Sequence, residues 1–237
     1  MELSATLLDH IRDLLAIQVE LPELDSPELD LLEEAIKNPG IFDAQLYLFE
    51  TTGTLVSLFY KNPEQRGRLL SSIVDPLLGD LSRDLLTAKN SKEPMAILKV
   101  HHTIMALGNI AKGFPDYPSP VPEGYILPPV DIFTQISQAI LVCLESLNTY
   151  RAIRDAVSYP YLLREHMLRS FVQTRNAFTR ILATTGPNIT HLIPPLMANL
   201  LAHFEPTELI DFMTFIGLLM HRLQVGQVLT CGGSSEY

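Results

Sequence analysis

Tyr47-Leu48-Phe49-Glu50-Thr51-Thr52-Gly53-Thr54-Leu55-Val56 is followed closely by Lys61-Asn62-Pro63-Glu64-Gln65-Arg66, and these two stretches decide the fold. They predict one amphipathic helix that ends at the Asn-Pro step and a second, antiparallel helix that begins there. Two antiparallel helices joined by a tight turn form the unit of a HEAT-type repeat, which cannot bury its apolar face alone. We therefore expect an all-α, HEAT-repeat superhelical solenoid of antiparallel helix pairs.

The rest of the chain also has helical periodicity and almost no strand signal. Proline in the first turn of a helix sacrifices no hydrogen bond, so Pro63, Pro94 and Pro206 suit helix starts. The predicted helices lie at about 3–20, 42–61, 63–88, 94–113, 128–149, 150–184, 189–204 and 206–225, with a possible short helix at 28–37. They divide one repeat array into units at 1–40 (partial), 42–88, 94–149, 150–204 and 206–225 (partial), before a flexible tail at 226–237.

Composition limits the class of protein. Apolar residues make up 47% of the chain and the mean hydropathy is +0.18, as expected where stacked helices share a core. No uninterrupted apolar run reaches the length that a bilayer requires, so we expect no membrane insertion. Cys143 and Cys231 form neither a metal-ligand spacing nor a disulfide framework, which indicates a reducing compartment. Because the chain begins within a helical pattern, it resembles a piece of a longer protein.

Charge is distributed unevenly. The net charge is −10, and residues 1–50 hold twelve acidic residues against two basic ones. Residues 151–180 reverse this balance, with six arginines against two acidic residues. A chain of this kind is no general nucleic-acid binder, but a local basic patch can bind an anionic partner where the fold presents it.

Catalytic and metal-binding motifs are missing from the sequence. It has no Gly-rich phosphate loop, no nucleophile elbow and no His-Glu-x-x-His motif. His101-His102 is the one pair of adjacent histidines, and neighbouring helical residues point about 100° apart. We therefore expect one of these histidines in the core and the other at the surface. The sequence predicts no enzyme, no metal site and no cofactor.

The arginines are the candidate binding residues, because a guanidinium presents a planar fork of donors to a phosphate. Arg151 and Arg154 lie three residues apart, and Tyr117 and Tyr125 in the Pro-rich loop 114–129 can stack on a base. The alternative is that these arginines pair with acidic residues of the next helix. The candidate RNA-binding set is Arg151, Arg154, Arg175, Arg180, Arg66 and Arg68.

The order of these motifs resembles one family, exportin-T, within the importin-β (karyopherin) class. An aromatic helix with a Glu-Thr/Ala-Gly step (here Glu50, Thr52 and Gly53) precedes a proline-started helix, and similar Arg-containing segments follow at 150–156 and 175–182. Further similarity continues through 192–196 and 212–223, so that it covers roughly 5–225. In the first pair the matching residues are Tyr47, Phe49, Glu50, Thr52, Gly53, Pro63, Glu64, Arg66, Pro76 and Leu77.

The resemblance implies a middle-to-C-terminal part of a nuclear export receptor. Such a receptor binds mature tRNA cooperatively with RanGTP and shuttles between nucleus and cytoplasm through contacts with nuclear pore proteins. The main Ran contacts of the family would lie outside this chain. Residues 158–174 look like an insertion relative to the family. The rival hypothesis is a HEAT-repeat protein-binding scaffold, either another karyopherin with protein cargo or a phosphatase-type adaptor.

Overall fold

A computed structural model describes residue 6 and residues 11–22, 31–37, 40–158 and 177–227. Within these residues the regular structure is helical and no strand is present, which confirms the predicted fold class. The α-helices are α1 (Leu31–Lys37), α2 (Ile41–Ser57), α3 (Pro63–Ser91), α4 (Pro94–Lys112), α5 (Val130–Leu147), α6 (Arg151–Ser158), α7 (Ala177–Thr185), α8 (Ile193–Ala202) and α9 (Leu209–Gln227). Short 3-10 turns occupy Arg12–Leu15, Gly186–Leu192 and Pro206–Glu208.

The helices pack in two layers. Helices α2, α4, α7 and α9 contact one another in succession in the first layer, and α3, α5 and α8 do so in the second. Helix α4 lies at the centre, against α2, α3, α6 and α7, and almost every side chain from Ala96 to Ala111 is buried. The packing of each helix pair on the next is what a helical repeat requires, since each pair shares its apolar face with its neighbours. The division into repeat units stays a prediction.

Local sequence explains how the first pair turns. The side chain of Asn62 caps α3 by accepting a hydrogen bond from the backbone N–H of Gln65 at 3.1 Å, and Pro63 opens the helix. Helix α3 ends at Ser91, the next residue Lys92 adopts the left-handed conformation with φ +54°, and Pro94 opens α4. The proposed helix-starting role of Pro63 and Pro94 is thereby confirmed.

Gly53 allows α2 and α4 to cross at very short range. A Cβ atom at this position would lie 2.1 Å from the carbonyl oxygen of Ile110, and one at Gly113 would lie 2.4 Å from the backbone nitrogen of Thr54. No side chain fits between backbones at that separation. The glycine in the opening motif is therefore required by the packing of the next helix pair, not by the turn of its own pair.

Two predicted helices differ from the structure. The helix expected at 3–20 is wrong over 17–20, which is not helical. The chain there lies beside α2, where the Gln45 side chain accepts the backbone N–H of Gln18 (3.0 Å) and donates to the carbonyl oxygen of Ala16 (2.8 Å). The helix expected at 150–184 is present as α6 and α7, while 159–176, including most of the insertion predicted at 158–174, lies outside the described residues, as does 228–237 of the predicted tail.

Helix α5 is long and apolar enough, by length and composition, to cross a membrane. One face of it, with Phe133, Ile140 and Leu144, is buried in the shared core. The opposite face exposes polar residues such as Gln138 and Glu145. This two-sided character is that of an amphipathic helix that packs one face against the shared core.

Candidate nucleic-acid interface

Arg154 lies in the interior, where it forms a buried ion pair. Its side chain and that of Glu208 are each 1% exposed. Nε and Nη2 of Arg154 donate to the same Glu208 oxygen at 3.0 and 2.7 Å, and Nη1 donates to the carbonyl oxygen of Asn148 at 2.7 Å. The other Glu208 oxygen accepts the backbone N–H of Glu205 at 2.8 Å, which caps the turn before α9. These contacts attach α6 to the start of α9.

Arg154 is not proposed as an RNA contact, because a guanidinium enclosed in this way faces no solvent from which a phosphate can approach. The alternative considered for these arginines, pairing with an acid of a later helix, describes Arg154 correctly. Arg151, one helical turn earlier, is half exposed. On the same helix, Arg154 is therefore a buried structural residue, whereas Arg151, three residues earlier, lies at the surface.

Arg66 is also buried. Its guanidinium donates to the carbonyl oxygen of Leu127 in the Pro-rich loop, and its burial lowers the pKa of the side chain from the usual arginine value. This contact attaches the loop to α3. Arg66, too, is therefore set aside as an RNA contact.

Arg68 and Arg151 remain available at the surface. The Arg68 side chain is 70% exposed and lies 3.2 Å from Glu64, while Arg151 is 50% exposed and lies 3.5 Å from Asp155. The Arg68–Glu64 pair is exposed on both sides, and exposed pairs between residues four apart contribute only about 0.3–0.5 kcal/mol. A phosphate can displace Glu64 from Arg68 at little cost. Arg151 reaches the surface, but its partner Asp155 is only 20% exposed, so this pair is not an exposed one.

Arg180 belongs to a row of charges that crosses the first layer. Glu50 of α2 contacts Lys112 of α4 at 2.5 Å, and Arg222 of α9 contacts Asp116, just after α4, at 2.7 Å. Arg180 of α7 interacts electrostatically with this row: burial lowers its pKa, Asp116 and Glu50 raise it, and Arg222 lowers it. The row therefore alternates in sign and involves all four helices of the layer.

Lys112 and Arg222 were not among the residues predicted from the sequence. Their partners lie 62 and 106 positions away along the chain, so no local pattern indicates them. Arg175, which was predicted, lies outside the described residues. Tyr117 and Tyr125 contact each other edge to face, with ring centroids 5.8 Å apart, and both are half buried.

The histidine pair differs from the prediction, because both side chains are buried. His102 stacks on Phe42 with ring centroids 3.7 Å apart, and the two histidine Nδ1 atoms lie 3.0 Å apart. Burial lowers the pKa of His101 to about 4. The expectation of one surface histidine is wrong, since α4 is covered on all sides. Over the described part of the chain, no group of three or more His, Cys, Asp or Glu is placed to hold a metal ion.

The structure thus defines an all-α protein of the helical-repeat class, in which antiparallel helices stack in two layers and surface arginines lie among acidic partners. Residues 1–229 match the family described as Exportin-T. The chain belongs to the exportin-T family.

Three curated relatives illustrate the match. The exportin-T of Laccaria bicolor is 57% identical over 223 residues, which cover 94% of this chain and 19% of the relative. The exportin-T of Coprinopsis cinerea is 50% identical over 225 residues, with the same coverage of 94% and 19%. That of Mycosarcoma maydis is 34% identical over 222 residues, or 91% of this chain and 18% of the relative. The chain spans about a fifth of the length of these proteins.

Proposed function

We propose that this chain is part of a nuclear export receptor that binds mature tRNA cooperatively with RanGTP and carries it through the nuclear pore to the cytoplasm. The observation that supports this most is the exportin-T match over residues 1–229, joined to an all-α, two-layered fold. Because the chain spans about a fifth of its relatives, the activity is proposed for the full-length protein.

The same proposal names the partners and compartments. The receptor shuttles between nucleus and cytoplasm, contacts nuclear pore proteins in transit and inserts into no membrane. The main Ran contacts lie outside this chain. It acts by binding, not by catalysis, and needs no cofactor. A rigid stack of helices suits recognition of a folded RNA by shape and backbone charge.

Within this chain we propose Arg68, Arg151 and Arg180 as phosphate contacts, with Arg175 as a fourth candidate from the sequence. Each neutralised phosphate contributes about −0.9 to the slope of log affinity against log salt. Three such contacts lower the affinity by about 40-fold when salt rises from 50 to 200 mM. Other parts of the receptor add to this dependence.

The test is tRNA binding by the full-length protein, with and without RanGTP, at 50 and 200 mM salt. The variant Arg68→Glu/Arg151→Glu should weaken binding and reduce the salt slope by about 2. The matched control is Arg83→Glu, another exposed arginine of α3 that pairs with an acid three residues away and lies outside the proposed set. RanGTP-dependent, salt-sensitive retention would support the proposal. No retention in either state would overturn it.

The second candidate function, a protein-binding scaffold, is favoured by one observation. Leu209, Ile210 and Met213 at the start of α9 expose more than half of their apolar side chains. An apolar patch of this kind fits a protein surface better than an RNA backbone. Under this hypothesis Arg68→Glu and Arg151→Glu leave tRNA retention unchanged.

A further inference from the structure

A cavity of about 140 Å3 lies between the Pro-rich loop and helices α7 and α9. Its lining includes Tyr117 and Val121 of the loop, Leu182 of α7, and His221 and Arg222 of α9. It lies at the end of the charge row described above, since Arg222 contributes to both.

The wall that carries Tyr117 is held in place by two contacts. The backbone N–H of Tyr117 donates to the carbonyl oxygen of Ala183 at 2.7 Å. Its ring lies directly against Gly186, which has φ +59°; a Cβ atom there would be 2.5 Å from the ring. Any larger residue at Gly186 would be strained and would displace the ring. The aromatic wall is therefore formed before a ligand arrives.

The charges around the cavity favour an anion. Among the described residues that line it there is a cation, Arg222, and an exposed histidine, His221, but no carboxylate. The chain as a whole has a net charge of −10, so a lining without Asp or Glu differs from the rest of the molecule in the direction that favours an anion. The Arg222 side chain is 36% exposed and contacts Asp116, which does not line the cavity, through Nη1, while a guanidinium has five N–H donors in all. The remainder of the lining is mostly apolar, so the ligand should combine a flat apolar part with a negative charge.

We propose that this cavity receives one unstacked nucleotide of the RNA cargo, with the base between Tyr117 and Leu182 and the phosphate at Arg222. The inference rests on the proposed function, because it assigns a subsite to that RNA. Proteins read single-stranded or terminal RNA by placing bases against aromatic side chains and phosphates against arginine. Arg180, a proposed phosphate contact, interacts with the same Asp116, so the cavity continues the proposed RNA surface. An acidic peptide is the competing ligand.

The experiment uses two variants that break the same ion pair from opposite sides. Arg222→Ala removes the cation, and Asp116→Asn removes the acid but leaves the cation. If the cavity binds a phosphate, tRNA affinity of the full-length protein with RanGTP should fall by about tenfold in Arg222→Ala, and the salt slope should decrease by about 0.9. Asp116→Asn should bind tRNA as tightly as the wild type or more tightly. Equal losses in both variants would show a purely structural ion pair and overturn the proposal.

A second measurement does not depend on Arg222. Photocrosslinking of tRNA that carries 4-thiouridine, with peptide mapping, should give an adduct in residues 115–125 or 181–187. Val121→Trp, which adds bulk to an exposed residue of the cavity lining, should remove that adduct while hydrogen exchange of α7 stays unchanged. Retention of tRNA with the adduct elsewhere overturns the cavity proposal and leaves the export function intact. Absence of tRNA binding overturns both proposals. Binding of an acidic peptide that is lost in Arg222→Ala would assign the cavity to a protein ligand instead.

Discussion

Replacing Arg154 with Met should loosen the attachment between α6 and α9. The substitution retains a long apolar side chain but leaves the Glu208 carboxylate, 1% exposed, with the backbone N–H of Glu205 as its remaining described partner. Removing one member of a buried ion pair costs about 3–5 kcal/mol, because the other charge stays buried without compensation. The free energy for local opening of these helices should fall by that amount.

Hydrogen exchange of the full-length protein measures this directly, since a repeat array opens locally. A loss of about 3–5 kcal/mol accelerates exchange in α6 and α9 by about a hundredfold to a few thousandfold. Arg83→Met of α3 is the control: its side chain is 78% exposed, its partner Asp80 is 48% exposed, and exchange in α6 and α9 should change by less than about threefold. The variant Arg154→Met/Glu208→Gln, which removes both charges, should lose less than the sum of the single variants.

Exchange in Arg154→Met within threefold of the wild type would refute the reasoning, because a buried ion pair without energetic consequence contradicts its geometry. Loss of tRNA affinity in the same variant, with exchange unchanged, would return Arg154 to the RNA-binding set. The two readouts therefore distinguish the structural role from the role predicted from the sequence.

Two further perturbations address the packing of α4. Gly53→Ala should destabilise the chain by about 3 kcal/mol, since the backbones of α2 and α4 must separate. Gly67→Ala in α3, where an added Cβ meets no atom, should stabilise it by about 0.5–1 kcal/mol. Chemical unfolding measures both changes. Acid should also weaken the fold: burial lowers the pKa of His101 to about 4 and that of His102 to about 2, so below pH 6.5 the unfolded state binds protons that the folded state does not. The free energy of unfolding should fall as the pH decreases from 6.5 to about 4. This pH slope should be smaller in His101→Leu than in the wild type, by up to about 1.4 kcal/mol per pH unit. This variant comparison cancels the opposite effect of Asp155, whose pKa burial raises to about 7, and equal pH slopes in both proteins would contradict the assignment.

Much of the fold is predictable because its signals are local. Pro63 and Pro94 open the helices predicted for them, and Asn62 caps α3 through a residue three positions later. The exceptions concern long-range contacts. Residues 17–20 carry a helical pattern but are not helical, because Gln45, more than twenty residues later in the chain, holds the backbone at Ala16 and Gln18 through hydrogen bonds. Tertiary hydrogen bonds there outweigh a weak local propensity.

The candidate site was predictable only in part. The arginines could be selected as candidates from the sequence, and Arg68 and Arg151 lie at the surface. The row that includes Lys112 and Arg222, and the cavity beside it, could not be found, since their partners are brought together by the order of α2, α4, α7 and α9 in the layer.

The chain alone was sufficient for the all-α class, the positions of the first helix pair and the family resemblance, because periodicity, proline starts and capping act within one or two helical turns. Only the tertiary structure decided which arginines face solvent. Arg151 and Arg154 look equivalent in the sequence, but Arg154 is buried because packing brings Glu208 to it from 54 positions away. A guanidinium loses its hydration at great cost unless a carboxylate replaces the water, and whether that carboxylate is present depends on the fold as a whole.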